Sequence, residues 1–104
     1  MIRLSVMYPA TPGSRFDWDY YLGHHSELSR TLLSSRGLVK VEIDKGIGGF
    51  PPGAPPPYHA VDHLFLRTLV KLEKALAATA AEFVADESNY TDCPSVVQIS
   101  EVVE

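Results

Sequence analysis

Four histidines, five tyrosines and a single cysteine are the side chains on which chemistry near neutral pH would rest. Two of the histidines are adjacent, in FDWDYYLGHHSEL (Phe16–Leu28). Apolar positions from Trp18 run 18, 21, 22, 28 and 32, with Leu33 close by, the three- and four-residue steps of an amphipathic helix. His25 falls four after Tyr21 and three before Leu28, inside the apolar stripe. His24 is turned about 100° away, toward the edge of that stripe. An imidazole on the apolar side of a helix can take or give a proton near neutral pH, which makes His25 the first catalytic candidate. The plainer alternative is a core histidine satisfied by one hydrogen bond.

The remaining candidates lie in strands and loops. Tyr8 ends an alternating run and shares parity with its apolar residues, so it either aims a hydroxyl inward or simply packs. Tyr90 and Asp92 precede the last apolar run. A carboxylate beside a tyrosine could orient an imidazole, as in acid–base sites; equally, Thr91 and Asp92 could bond local backbone N–H groups. His59 and His63 are four apart. In a strand that spacing places them about 13 Å apart, too far to share one metal ion. His63 alone could line a cavity or an interface between subunits. Cys93 has no neighbour in sequence that would activate its thiol.

The elements that must position these groups follow from pattern. The chain has 104 residues, 45% hydrophobic and 21% charged, with a net charge of -4: one globular domain over residues 1–104. No basic stripe suggests nucleic acid as a partner, and no metal or organic cofactor is implied. One cysteine excludes an internal disulfide and a thiolate-rich zinc site. Neither a membrane-length apolar run nor a signal peptide is visible, so a cytoplasmic protein is expected.

IRLSVMY (Ile2–Tyr8) alternates at period two and reads as a strand. Asp17 is a plausible N-cap for the helix that follows, and Gly37 a plausible terminator. LVKVEIDK (Leu38–Lys45) is a second strand, with Val39, Val41 and Ile43 on one side. GIGGFPPGAPPP (Gly46–Pro57) is too rich in proline for helix or strand, and its prolines rule out a dinucleotide-binding loop. It is either a flap over something or a plain surface loop. Tyr58–Arg67 is a third strand. Thr68 can cap a second helix from Leu69 to about Ala81, with Leu69, Leu72, Leu76 and Ala80 buried. Val96–Val103 is the last strand. The order β-α-β-β-α-β specifies an α+β, ferredoxin-like fold: a four-stranded antiparallel sheet with two helices on one face. The last strand is apolar on both parities, which predicts an uncovered apolar sheet face and a two-fold homodimer packed sheet on sheet.

YPATPGSRFDWDYYLGHH resembles the N-terminal signature of the EthD family, named for ethyl tert-butyl ether degradation. PPPYHAVDHLFL and NYTDCPSVVQISEV resemble its middle and C-terminal segments, and the resemblance runs the length of the chain. It implies a dimeric α/β barrel with a small apolar ligand held between helices and sheet. Tyr8, Tyr21, His63 and Phe83 are then the expected ligand contacts, and His25, Tyr90 and Asp92 the expected catalytic group. Two positions depart from the family pattern. Glu27 stands where many relatives have proline, and Thr79 stands near a position where several have histidine.

Two functions fit this reading. One is a cofactor-free enzyme in the catabolism of a small organic compound, with isomerase- or oxygenase-like chemistry, in which His25 moves a proton and a tyrosine supports the oxyanion. The other is a non-catalytic ligand-binding or accessory protein for an oxygenase pathway.

Overall fold

The computed structural model describes residues 1–104. Strand β1 (Ile2–Pro9) is followed by a composite first helix, then β2 (Leu38–Lys45), β3 (Tyr58–Leu66), the second helix (Leu69–Glu87) and β4 (Val96–Glu101). The strands form one antiparallel sheet in the order β2-β3-β1-β4, the ferredoxin-like arrangement expected from the sequence. No helix is long and apolar enough to cross a membrane.

The first helix is not uniform. It comprises an α-turn at Trp18–Tyr20, a π-helical turn at Tyr21–His25, an α-helical stretch at Ser26–Leu33 and a 3-10 turn at Ser34–Arg36. Asp17 caps it as expected, accepting the Tyr20 N–H at 3.0 Å. Gly37 ends it at φ 98°, a conformation that favours glycine. The buried positions are 21, 25, 26, 29 and 33. A strict four-residue repeat drifts about 40° per step around an α-helix. The wider π-turn takes back part of that drift, so Tyr21, His25, Ser29 and Leu33 all face the sheet. Leu22, expected in the stripe, is turned outward.

The second helix is capped by Thr68, which accepts the Lys71 N–H at 3.2 Å. It runs to Glu87, six residues past the expected end, because nothing in Glu82–Glu87 breaks a helix. Its buried positions are Leu72, Ala75, Thr79 and Asp86, whereas Leu69 and Ala80 are exposed.

Register settles which face each strand presents. Ile2, Leu4, Val6 and Tyr8 pair with Leu66, Leu64, Asp62 and Ala60, and all face the helices. Val97 and Ile99 lie opposite Val6 and Leu4, so they too point to the helix side, although the edge of that layer leaves them half uncovered. The open face is therefore mixed, not continuously apolar as β4 alone suggested. Lys40, Glu42, Asp44 and Gln98 share it with an apolar row, Val96–Met7–Val61. Phe65, also on that face, lies under Lys40, whose Nζ is 4.6 Å from the ring centroid.

The Gly46–Pro57 loop extends the β2–β3 hairpin. Gly46 is pressed so closely against the Tyr58 carbonyl that a Cβ would collide with it. Ile47 and Phe50 point into solvent.

Candidate functional site

Two clusters fill the space between sheet and helices. An aliphatic one holds Leu4, Leu33, Leu64, Leu66, Leu72 and Ala75. An aromatic one holds Tyr8, Tyr21 and Tyr90 around Ala60. A cavity of about 260 Å³ separates them. Its floor is the sheet at Leu4, Val6, Tyr8, Asp62 and Leu64; its roof is His25 and Ser29 from the first helix and Leu76, Ala80, Phe83 and Val84 from the second. Ser29 and Ala80 are small where larger side chains would fill the gap. Val84 and Val97, both well exposed, flank the side between the second helix and β4. Glu87 holds that rim, accepting the Ser95 backbone N–H at 2.8 Å and the Ser95 hydroxyl at 3.1 Å.

His25 is 5% exposed and sits at the cavity wall. Its Nδ1 is 2.9 Å from Asp86 Oδ2. Asp86 Oδ1 accepts the Tyr20 hydroxyl at 2.6 Å and the Asn89 amide at 3.1 Å. Burial pushes the Asp86 carboxyl up, but the hydrogen bonds from Tyr20, Asn89 and His25 outweigh it, and the net shift is downward. Asp86 is therefore an anion at neutral pH. An anion only accepts, so His25 Nδ1 carries the proton. The other ring nitrogen, Nε2, has no hydrogen-bond partner and is not sealed off. The ring forms a triangle with two tyrosines that also touch each other: Tyr21 stacks on it at 5.0 Å and 16°, and Tyr90 lies tilted at 4.7 Å. His24 Nδ1 is 3.6 Å from Asp86 Oδ1, but its side chain is mostly in solvent.

Beneath the imidazole is a buried group of phenols. Tyr8 and Tyr90 share a hydroxyl–hydroxyl hydrogen bond of 2.8 Å. Tyr21 donates to Asp62 Oδ2 at 2.5 Å. Burial raises Tyr8 to about 12 and raises Tyr21 and Tyr90 as well, so all three remain protonated. Asp62 is raised by burial too, against the opposing pull of the Tyr21 hydrogen bond and the charges of His25, His63 and Arg30. Its second oxygen, Oδ1, is buried without a partner.

Among solved structures, the chain is 36% identical to an EthD-like protein from Ralstonia eutropha JMP134, with 99% of this chain and 92% of that one covered and a TM-score of 0.91. The chain belongs to the EthD family. An EthD family protein from Bacillus halodurans C-125, at 18% identity and a TM-score of 0.74 over 97% of both chains, shares the fold. No family model and no curated protein matches the chain.

Of the residues singled out in this EthD chain, His25, Tyr8, Phe83 and Tyr90 meet at the cavity. Tyr21 is fully buried behind them, stacked on His25. Two residues lie elsewhere. His63 has the opposite strand parity from Asp62, so it projects from the open face, where it contacts Asp44 Oδ2 at 2.9 Å and Ser5 Oγ at 3.3 Å. Asp92 is an exposed loop residue that accepts the Arg15 N–H at 2.9 Å. That backbone hydrogen bond from Arg15 holds its carboxyl below the usual range. Asp92 thus clamps the entry to the first helix, and the carboxylate on the imidazole is Asp86. Thr79 is 1% exposed and donates to the Ala75 carbonyl at 2.7 Å. No three His, Cys, Asp or Glu side chains converge as a metal site.

Asp86 and Asp62 escaped the sequence reading, though each left a trace. Asp86 continues the helical spacing of Thr79 and Phe83. Asp62 is a charge on the apolar parity of β3, between Ala60 and Leu64.

The downward shift of the Asp86 carboxyl stabilises the folded protein. Its stabilisation is complete above the ordinary carboxylate value of about 4 and is lost as pH falls through the lower folded value. Asp86→Asn should cost about 1–3 kcal/mol near pH 6. In urea melts the gap to the unmodified protein should begin to narrow as pH falls below about 4 and go on narrowing as Asp86 takes up its proton. A gap independent of pH would contradict an ionised Asp86.

Proposed function

We propose that this EthD-family protein binds a small apolar molecule in the cavity and moves a proton to or from it with His25 Nε2. The carrying observation is the geometry of one ring: Nδ1 is tied to Asp86, Nε2 is left unbonded, and the residue lines a mostly apolar cavity. The volume, about 260 Å³, is just under the range of about 300–1,000 Å³ typical of drug-sized pockets and suits a compact, one- or two-ring molecule. Asp86 fixes the tautomer and stabilises the imidazolium that forms when Nε2 takes a proton. A positioned acid–base group contributes about 10²–10⁴ in rate. That is sufficient for proton transfer at an activated carbon and too little to cleave an unactivated ether. Ether scission by this protein alone is therefore not part of the reading.

5-Nitrobenzisoxazole opens when a base removes its one activated C–H proton, and it is small enough for the cavity. The protein should accelerate that opening over buffer. His25→Gln should lose about 10²-fold or more of the acceleration, and the cavity-filling Ala80→Trp should do the same. Undiminished rates in folded His25→Gln would remove the proton-transfer role. Binding of the probe without acceleration would leave a carrier or accessory protein.

Pairing of two copies through the open sheet face is part of the same reading. It is supported by the Val96–Met7–Val61 row crossing three adjacent strands. Light scattering at micromolar concentration should give the mass of two chains. A one-chain mass, or a Val61→Asp variant that remains two-chain, would contradict that interface.

A further inference from the structure

Among the polar groups that line the cavity, one is neither used by proton transfer at His25 nor fully hydrogen-bonded. Asp62 stands on the floor, 3% exposed, in an otherwise apolar stretch of β3. Its Oδ2 accepts the Tyr21 hydroxyl. Its Oδ1 is the only buried carboxylate oxygen in the protein with no hydrogen bond. Such an atom normally costs stability, and a native structure retains one where a function or a missing partner accounts for it. No lysine or arginine hydrogen-bonds Asp62; the Arg30 guanidinium is bonded to Ser26, one turn earlier on its own helix.

We infer that Asp62, as a neutral carboxylic acid, is the cavity's hydrogen-bond donor, and that its Oδ1–H recognises the carbonyl oxygen of an apolar ketone or lactone. The inference rests on the cavity and the His25 role proposed above. Burial, which raises the Asp62 carboxyl, favours the neutral form. The Tyr21 hydrogen bond pulls the other way, but by donating to Oδ2 it leaves the proton of the neutral acid for Oδ1. A neutral acid held in an apolar site so that it can donate a hydrogen bond is an established catalytic device.

The two residues then divide one reaction. His25 Nε2 takes a proton from the carbon next to the carbonyl. The C–H electron pair becomes a C=C bond, and the carbonyl π pair moves onto oxygen. The resulting enolate is held by the Asp62 O–H, and the imidazolium by Asp86. Returning the proton to the same carbon restores the ketone; returning it to the far end of a conjugated enolate shifts the double bond. No oxidant, metal or second substrate is needed, and no atom is gained or lost. The substrate class is a compact carbonyl compound with acidic α-hydrogens.

Indane, 2-indanone and 2-indanol share one carbon skeleton and differ only in the group offered to Asp62. Titrations followed by amide chemical shifts should show 2-indanone bound about tenfold more tightly than indane. Asp62→Leu should remove that preference while retaining indane binding. Asp62→Asn keeps a donor, because Tyr21 holds its amide oxygen and turns the amide nitrogen toward the ligand, and should retain most of the preference. It also guards against loss of folding in the leucine variant. The unmodified protein should exchange the α-hydrogens of 2-indanone in heavy water, and Asp62→Leu should exchange them at least about tenfold more slowly. Equal binding of indane and 2-indanone would overturn the inference while leaving the cavity reading intact. A preference for 2-indanol lost in Asp62→Asn would show an ionised acceptor and overturn it too. Failure of all three probes to bind would overturn the cavity reading and this inference together.

Discussion

One hydrogen bond holds the candidate site together: the 2.9 Å contact between His25 Nδ1 and Asp86 Oδ2. It joins the middle of the first helix to the last turn of the second, across the mouth of the aromatic cluster. It fixes the imidazole's tautomer and leaves Nε2 without a hydrogen-bond partner. Much of the surrounding structure serves to make that bond possible. The π-turn at Tyr21–His25 keeps the ring on the sheet side. The extension of the second helix to Glu87 brings Asp86 within reach. Tyr20 and Asn89 occupy the other carboxylate oxygen, so the anion is satisfied where it is buried.

The cavity exists because of what lies on either side of it. Aliphatic packing at one end and phenol packing at the other are each complete, and the rank between them carries Ser29, Asp62 and Ala80 instead of large apolar groups. A void and a buried carboxyl with an unpaired oxygen both lower stability. Both occur in the same few residues, and proteins tend to retain such features where a ligand is handled.

The sequence specified most of the scaffold and less of the site. Period-two alternation located β1, β2 and β3, because half-buried strands impose that pattern directly; the faces were legible for β1, but a register shift takes Val39 out of the β2 row and His63 of β3 lies on the open side. Asp17, Gly37 and Thr68 marked helix ends through their own hydrogen bonds or backbone conformation. The face of β4 was not legible, since valine and isoleucine occur on both parities and only pairing with β1 places Val97 and Ile99 on the helix side. His25 was legible as an inward imidazole, but its partner was not. Asp92 was the nearer carboxylate in motif terms, beside Tyr90, whereas Asp86 reaches the ring only because the helix continues past Ala81. A π-turn has no sequence signature comparable to a cap, so Leu22 read as buried when it is not. Asp62 showed in the pattern as a charge among apolar residues, but its meaning depends on a cavity that side-chain volumes alone do not reveal.

A base aimed at the cavity requires one tautomer of the His25 ring, which two-bond proton–nitrogen correlation NMR reads directly. At about pH 8, where an imidazole is ordinarily neutral, His25 should show a protonated Nδ1 and a bare Nε2, and Asp86→Asn should scramble that tautomer. A proton on Nε2 in the unmodified protein, or a ring exchanging freely between tautomers, would contradict a base aimed at the cavity.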